Sequence, residues 1–350
     1  MTIYIVDIEA VESRYTAQWK KFLPEQIKAH LDTTDVVVIS GGEVPQATTP
    51  GAFLNFGGTN VYKSSQLMQI ATMVCNGDVK TGDYFLYTDA WNPTVIQLRY
   101  MARLLGLDIR IGGMWHAGSY DPQDFLGRLI GDEDWVRNAE ASMFDCYDHN
   151  YFATQFHVDL FRKSFHDIDQ DKVQIVGWPM EYLKDEIKRF SLNSIDKFDI
   201  ILFPHRVAPE KQVDIFKDLA LHMPEYRFVV AQEFPLSKEE YHNLLASSRM
   251  VFSANLQETL GISWYEGALV DATPCVPDRL SYREMATPEV LYPSEWTQDW
   301  DSYIANRDKL IKRMKEILDY PNPHEVCNNV VDKLQDFFSG KQLYDTIKGT

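Results

Sequence analysis

Two short stretches of this chain carry side chains whose types and spacing suit each other chemically. The first is His205-Arg206-Val207-Ala208-Pro209-Glu210-Lys211, which sets an arginine and a lysine five residues apart just after the apolar run Ile200–Phe203. An arginine fork and a lysine point charge can hold a diphosphate between them. On a solvated loop the same residues read instead as an ion pair between Arg206 and Glu210. The second stretch is LQETLGISWYEG, Leu256 to Gly267, in which Glu258 and Glu266 stand eight residues apart around Gly261. Gly261 fits the tight start of a helix, leaving Glu258 in a loop and Glu266 two turns inside. Eight helical residues turn the chain roughly 80° past two full turns, so both carboxylates approach one rim at different depths. Carboxylates accept well from vicinal hydroxyls, as the acidic ribose contact of dinucleotide folds does. The plain alternative is a first-turn Glu favoured by the helix dipole and a solvated mid-helix Glu.

Other candidates lie earlier. His116, in Ile111-Gly112-Gly113-Met114-Trp115-His116-Ala117-Gly118, follows the expected strand Asp108–Ile111. A glycine-flanked histidine at a strand's carboxyl end suits a binding crevice, or it is satisfied by local backbone. Trp115, Tyr120 and Asp121 offer aromatic and acidic surface for stacking on and orienting a sugar or base. Asp89, in Thr88-Asp89-Ala90-Trp91-Asn92-Pro93, either meets an acceptor hydroxyl or caps the helix it precedes, and the cap is favoured. The pairs Gly41-Gly42 and Gly57-Gly58 fit no phosphate-loop pattern.

These residues need a frame. Short β-branched and aromatic runs alternate with helical patterns, which implies parallel sheets covered on both faces. Strands are expected at Ile3–Val6, Val36–Ser40, Tyr84–Thr88, Asp108–Ile111, Phe144–Tyr147 and Val173–Val176, with helices at Thr59–Cys75, Pro93–Leu105, Pro122–Ile130 and Thr154–Ser164. The rhythm restarts with strands at Ile200–Phe203, Phe228–Ala231, Met250–Ser253, Pro274–Pro277 and Val290–Tyr292. Helices fit between them at Lys211–His222, Lys238–Ser247 and Gly261–Val270, and after them at Tyr303–Leu318. The reading is α/β: two Rossmann-like domains, 1–180 and 199–325, facing across a central cleft. A polar linker spans 181–198, and 326–350 carries a last helix, roughly Val326–Gly340, that suits either domain. Outside the carboxyl ends of such strands is where open α/β sheets bind ligands, and a helix N-terminus there favours anions.

With 350 residues, two domains of ordinary size are expected. An apolar content of 45% describes a well-packed globular chain. The four cysteines are scattered without a CxxC pair, which reads as reduced thiols and no metal site. No signal peptide or membrane-spanning run is apparent, so a cytoplasmic protein is expected. The formal charge of −17 opposes non-specific binding to polyanions, though a local basic cleft is compatible with it.

Taken together, Arg206-Val207-Ala208-Pro209-Glu210-Lys211 and the Glu258-to-Glu266 pair resemble the R-x-x-P-E-K and E-x7-E elements of GT-B retaining glycosyltransferases, especially the family-4-like group. Asp271-Ala272-Thr273-Pro274-Cys275-Val276 resembles the family's small-residue turn before a strand, and the resemblance covers roughly 198–284. It implies that Arg206 and Lys211 neutralise the diphosphate of a departing nucleotide. It implies that Glu258 accepts from the donor sugar's hydroxyls beside the backbone N–H groups of Leu260 and Gly261, with Thr259-Leu260 standing where the family has Gly-Phe. Glu266 would bind the ribose, and His116 would reach toward the donor sugar. No metal or other cofactor is implied, the UDP- or GDP-sugar being a co-substrate. The acidic, glycine-free stretch Asp7 to Tyr15 departs from the family's glycine-rich loop, so acceptor handling does not carry over.

The acceptor is thus a hydroxyl of open class: glycan, lipid, metabolite, or the hydroxymethylated base of a phage-type DNA. Two rival readings stand beside this one. A metal-dependent GT-A transferase would use a D-x-D, which Asp132-Glu133-Asp134, Asp167-Ile168-Asp169 and Asp299-Trp300-Asp301 loosely satisfy. A non-catalytic nucleotide- or sugar-binding module is compatible with the fold alone.

Overall fold

The computed structural model describes residues 1–11, 14–31, 35–44, 54–191 and 197–349. Part of the acidic stretch, Glu12-Ser13, and positions 192–196 of the expected linker lie outside them. The chain forms two compact units, residues 1–180 with 339–350, and residues 181–338.

In the first unit six strands form one parallel sheet: β1 (Thr2–Val6), β2 (Asp35–Ile39), β3 (Tyr84–Tyr87), β4 (Arg110–Met114), β5 (His149–Phe152) and β6 (Val173–Ile175), in the order β2-β1-β3-β4-β5-β6. Helices α1 (Tyr15–Leu31), α2 (Phe56–Asn76), α3 (Thr94–Leu105), α4 (Phe125–Ile130), α5 (Asp134–Cys146) and α6 (Gln155–Ser164) belong to this unit. Its core is rich in aromatic rings, among them Phe85, Tyr87, Trp115, Phe144, Tyr147, Phe152 and Phe161. Buried strands of this kind read as continuous apolar runs because both faces are covered.

The second unit repeats the plan with α7 (Tyr182–Lys188), β7 (Ile200–Phe203), α8 (Val213–His222), β8 (Arg227–Val230), α9 (Lys238–Ser247), β9 (Met250–Phe252), α10 (Ile262–Leu269), β10 (Thr273–Pro277), α11 (Leu280–Met285), β11 (Leu291–Tyr292), α12 (Trp300–Leu318) and α13 (Pro323–Leu334). Its sheet runs β11-β10-β9-β7-β8, again parallel throughout. A final helix, α14 (Lys341–Lys348), rejoins the first unit and packs on α1, where His30 Nε2 meets Asp345 Oδ1 at 2.9 Å. In each sheet the direction of winding reverses once, between β1 and β3 and between β7 and β9. Those two reversals leave crevices at the carboxyl ends of the strands.

Several sequence expectations shift. Phe144–Tyr147 is not a strand. Its Phe144 closes the buried face of α5, made by Val136, Glu140, Met143 and Phe144, and the strand follows at His149–Phe152. A four-residue apolar run does not distinguish the end of a buried helix from a strand. The strand expected at Asp108–Ile111 runs instead over Arg110–Met114 and includes the glycine pair read as loop. A Cβ on Gly112 would lie 2.3 Å from the Tyr84 hydroxyl and one on Gly113 2.6 Å from the Tyr147 ring. The glycines are there because tyrosines fill the space. Helix α1 was not anticipated, since Pro24 inside it reads as a breaker. The expected linker holds α7, and the single last helix is two, α13 and α14.

Candidate active site

The four residues of β7 are all buried, and the chain leaves the sheet at Pro204. The loop after it ends in a short 3-10 turn, Pro209–Lys211, and Gln212 takes a left-handed conformation, φ 53°, to start α8. The neighbouring strand β9 ends at Phe252, and its loop reaches Gly261, whose φ of 85° is natural to glycine. The Trp264 indole lies 2.6 Å from where a Cβ on Gly261 would stand. Two ties bind these loops together, and Arg279 braces the second against the chain after β11. The Leu256 amide donates to the Glu210 carbonyl at 2.8 Å, and the Gln212 amide donates to the carbonyls of Ala254 (2.6 Å) and Thr297 (2.7 Å). Arg279 donates to the carbonyls of Ala254 (2.6 Å), Asn255 (2.7 Å) and Ser294 (3.0 Å).

On this frame Lys211 and Glu258 come together. Lys211 Nζ lies 3.5 Å from Glu258 Oε2 and donates to the Gln257 carbonyl at 2.5 Å, and the lysine is almost wholly buried. Glu258 is partly exposed; Asn255 Nδ2 approaches its Oε2 at 3.4 Å and the Thr259 amide its Oε1 at 3.2 Å. Thr259, Leu260 and Gly261 are buried around it. Arg206 forms the local ion pair, donating through Nε and Nη2 to Oε1 of the buried Glu210 at 3.0 and 2.5 Å. Glu266 lies elsewhere: it is buried in α10 and its Oε2 accepts from the Tyr241 hydroxyl of α9 at 3.1 Å. Burial raises its carboxyl above the usual range, with the Lys238 charge and the Tyr241 hydroxyl opposing. Trp264 is core, and Tyr265 stacks on Phe338 with ring centroids 4.0 Å apart.

The first unit places its candidates differently. His116 Nε2 donates to the Thr88 carbonyl at 2.6 Å, and Nδ1 accepts from the Tyr15 hydroxyl at 2.8 Å. Burial lowers its pKa, with Asp89 acting the other way, so the neutral form fits both bonds. Trp115 offers no face for stacking. It is fully buried against Phe152 and Phe161, its indole N–H donating to Asn150 Oδ1 at 2.8 Å. Tyr120 and Asp121 are likewise buried. Asp89 does not cap α3. Asn92 Oδ1 receives the Thr94 amide there, while Asp89 meets Lys63 Nζ at 2.8 Å and the Trp91 amide at 3.1 Å. The glycine pairs serve local contacts, Gly42 donating to Ser65 Oγ and Gly58 to its cap Asn55.

Two clusters here carried no motif. Asp7, at the end of β1, receives the hydroxyls of Ser40 and Tyr62 (2.6 Å each) and the Gln66 amide (3.0 Å). Glu9, two residues on, is buried with Oε2 lacking a hydrogen-bond partner, and burial raises its carboxyl. Glu140, on α5, is wholly buried and binds two loops at once: Oε1 accepts from Trp91 Nε1 (2.9 Å) and from the Ser119 amide and hydroxyl (2.8 Å each), and Oε2 from Arg137 (2.8 Å). It pins the loop of Asp89 to the loop of His116. Only an acidic residue at a buried helical position signals it in the sequence.

The acidic triplets have ordinary work too. Asp132 pairs with Arg137, Asp169 caps a 3-10 turn and Asp299 caps α12. Among the described residues no group of three or more His, Cys, Asp or Glu side chains is placed to share a metal ion. Among them, too, no helix is long and apolar enough to cross a membrane.

No family model matches this chain, and no curated protein matches it. Solved structures do. The trehalose-6-phosphate phosphatase N-terminal domain of Candida albicans superposes with a TM-score of 0.67 at 10% identity, over 99% of this chain and 95% of that one. The catalytic domain of starch synthase IV from Arabidopsis thaliana, bound to ADP and acarbose, gives 0.62 at 11% identity, over 99% and 98%. The lipopolysaccharide outer core galactosyltransferase WaaB, in apo form, gives 0.59 at 10%, over 100% and 99%. The fold is that of the GT-B glycosyltransferases. Identities of this size establish architecture, and GT-B architecture is what the resemblance over roughly 198–284 implied.

Proposed function

We propose that this chain is a glycosyltransferase that moves a sugar from a nucleotide-sugar, UDP- or GDP-linked, to a hydroxyl acceptor with retention and without a metal. The observation that carries it is the Lys211–Glu258 pair at the reversal between β7 and β9, 3.5 Å apart on two loops tied together by Gln212 and by the Leu256 amide. A buried ammonium and a carboxylate side by side can serve the two halves of such a donor. Lys211 neutralises the charge that gathers on the diphosphate as the glycosidic bond breaks, and Glu258 accepts from the sugar's hydroxyls. Arg206, on the same loop, adds a second cation by sharing its guanidinium between Glu210 and the phosphates. Glu266 takes the ribose hydroxyls, with the Tyr241 hydroxyl orienting its carboxylate. His116 belongs to the other unit, where it holds the Thr88 carbonyl and the Tyr15 hydroxyl, and it is not needed for this set.

A second reading has an observation of its own. Both cations already hold a carboxylate, so the same loops would also suit a module that binds nucleotide-sugar without turnover. One experiment separates these readings: incubation with labelled UDP-, GDP- and ADP-sugars and a panel of acceptors that includes glycans and hydroxymethylated DNA, with and without EDTA. Transfer or hydrolysis from one donor, unaffected by EDTA and giving the donor's own anomer, is expected. Binding without turnover favours the module, EDTA sensitivity favours metal chemistry, and the opposite anomer removes retention.

A further inference from the structure

The loops that carry Lys211 and Glu258 also carry two buried polar atoms with no hydrogen-bond partner. His205 follows β7 and is 6% exposed, yet its Nε2 has no hydrogen-bond partner. Its ring is held edge-on by Phe203, with centroids 5.1 Å apart, and the Phe252 carbonyl lies against it. Burial above all, and then the Lys211 charge, keep the imidazole neutral. In the tautomer that carries its proton on Nδ1, Nε2 presents a lone pair. Asn255, in the loop after β9, is fully buried. Its Nδ2 donates to the Tyr282 hydroxyl at 3.0 Å and approaches Glu258 at 3.4 Å, while its Oδ1 has no partner.

Strands β7 and β9 are paired neighbours, with Leu202 opposite Val251, so both orphan atoms stand on loops that leave the sheet side by side. Buried polar atoms are nearly always paired, and unpaired ones persist where function retains them. In that tautomer both of these accept and neither donates. They match hydroxyls and repel phosphate oxygens, so they suit a part of the ligand other than the diphosphate. Resting on the nucleotide-sugar reading above, we infer that His205 Nε2 and Asn255 Oδ1 join Glu258 in an all-acceptor ring for the hydroxyls of the transferred sugar. His205 is then a specificity residue for the donor sugar, and the nucleotide does not touch it.

The test compares wild-type protein, His205→Leu, His205→Gln and Lys211→Ala in calorimetric titrations with a nucleotide-sugar, UDP-glucose or GDP-mannose, and with the matching free nucleoside diphosphate. Leu removes the acceptor, whereas the Gln amide oxygen can replace Nε2. His205→Leu is expected to bind the nucleotide-sugar roughly tenfold or more weakly, the loss expected for a buried hydrogen bond left unmade, and the free diphosphate within twofold of wild type. His205→Gln should recover most of the sugar-dependent loss, and Lys211→Ala should weaken both ligands. Equal weakening of both ligands by His205→Leu, or none, overturns the inference while leaving the donor site standing. Wild-type protein that binds neither ligand overturns both. Should the leucine variant fail to fold, ¹⁵N NMR of the wild-type histidines decides: the His205 Nε2 signal should shift with nucleotide-sugar and not with free diphosphate. An unmoved signal refutes the contact.

Discussion

His116 and His205 each follow an inner strand of a parallel sheet, and burial keeps both neutral, yet the chain treats them differently. Around His116 it supplies both partners, the Thr88 carbonyl and the Tyr15 hydroxyl, and packs the ring among Trp19 and Trp178 at 5.4 and 5.1 Å. Asp89 nearby is locked to Lys63, and Glu140 ties the two loops from behind. Around His205 the chain supplies a wall and leaves Nε2 unanswered, with a second unanswered acceptor on Asn255. The first rim is built largely to hold itself in shape, though Glu9 Oε2, Gln66 Oε1 and Trp19 Nε1 also lack partners. The second sets two unpaired atoms on the loops that pair Lys211 with Glu258. Similar sheets with the same winding thus both carry unpaired atoms, and the second is the better place to look for a ligand because its atoms stand on those loops.

The comparison breaks most readily at Lys211. Lys211→Ala should lower kcat by about 100-fold or more, as loss of one transition-state charge contact does, with a melting temperature close to wild type. Near-normal turnover would move the donor site elsewhere. Arg206→Ala is next and differs in kind. It removes the guanidinium from the fully buried Glu210 carboxylate, so unfolding stability should fall by about 3 kcal/mol, measured by chemical denaturation, alongside a smaller loss of turnover. Restored stability in Arg206→Ala with Glu210→Gln would show that the burial of Glu210 causes the loss.

His116→Ala tests the other rim. It should cost about 2 kcal/mol of stability through the lost bonds and ring contacts, and change kcat far less than Lys211→Ala. A kcat loss matching that of Lys211→Ala, with stability intact, would make His116 part of the chemistry. An effect of similar size concerns pH. His157, buried beside the Tyr120 hydroxyl at 2.6 Å, has its pKa lowered to about 3 by burial. The unfolded chain binds this proton near pH 6.5 and the folded chain does not, so its contribution to stability is full above pH 6.5 and is lost as pH falls toward 3. At pH 5 the loss should be on the order of 2 kcal/mol. His157→Gln should flatten stability between pH 6.5 and 4; an unchanged slope would assign the dependence to other groups.

Much of this was legible in the sequence, and the reasons differ by residue. Strand β7 and helix α9 fall where periodicity put them, α9 because Ser237 and Glu240 form a reciprocal cap at its start. Arg206, Lys211, Glu210 and Glu258 could be found because they sit within a few residues of strand ends. The misplaced elements fail locally: Gly112-Gly113 reads as a loop until tyrosines from other elements fill the gap, and Pro24 hides α1. Arg279, Gln212 and Asn255 were not legible, because each acts on a partner brought near by the fold. Arg279 meets a loop 25 residues back and Gln212 a carbonyl 85 residues on. Trp115 shows the converse error, since an aromatic side chain at a strand end looks the same whether the core or a ligand will claim it.

The central claim is that the donor binds on the loops after β7 and β9. Calorimetric titration of wild-type and Lys211→Ala protein with UDP and GDP tests it most directly. Saturable binding of one of them to the wild type, weakened tenfold or more by the substitution, is the predicted result. Equal affinity in the two proteins, or no binding of either nucleotide to the wild type, would contradict it.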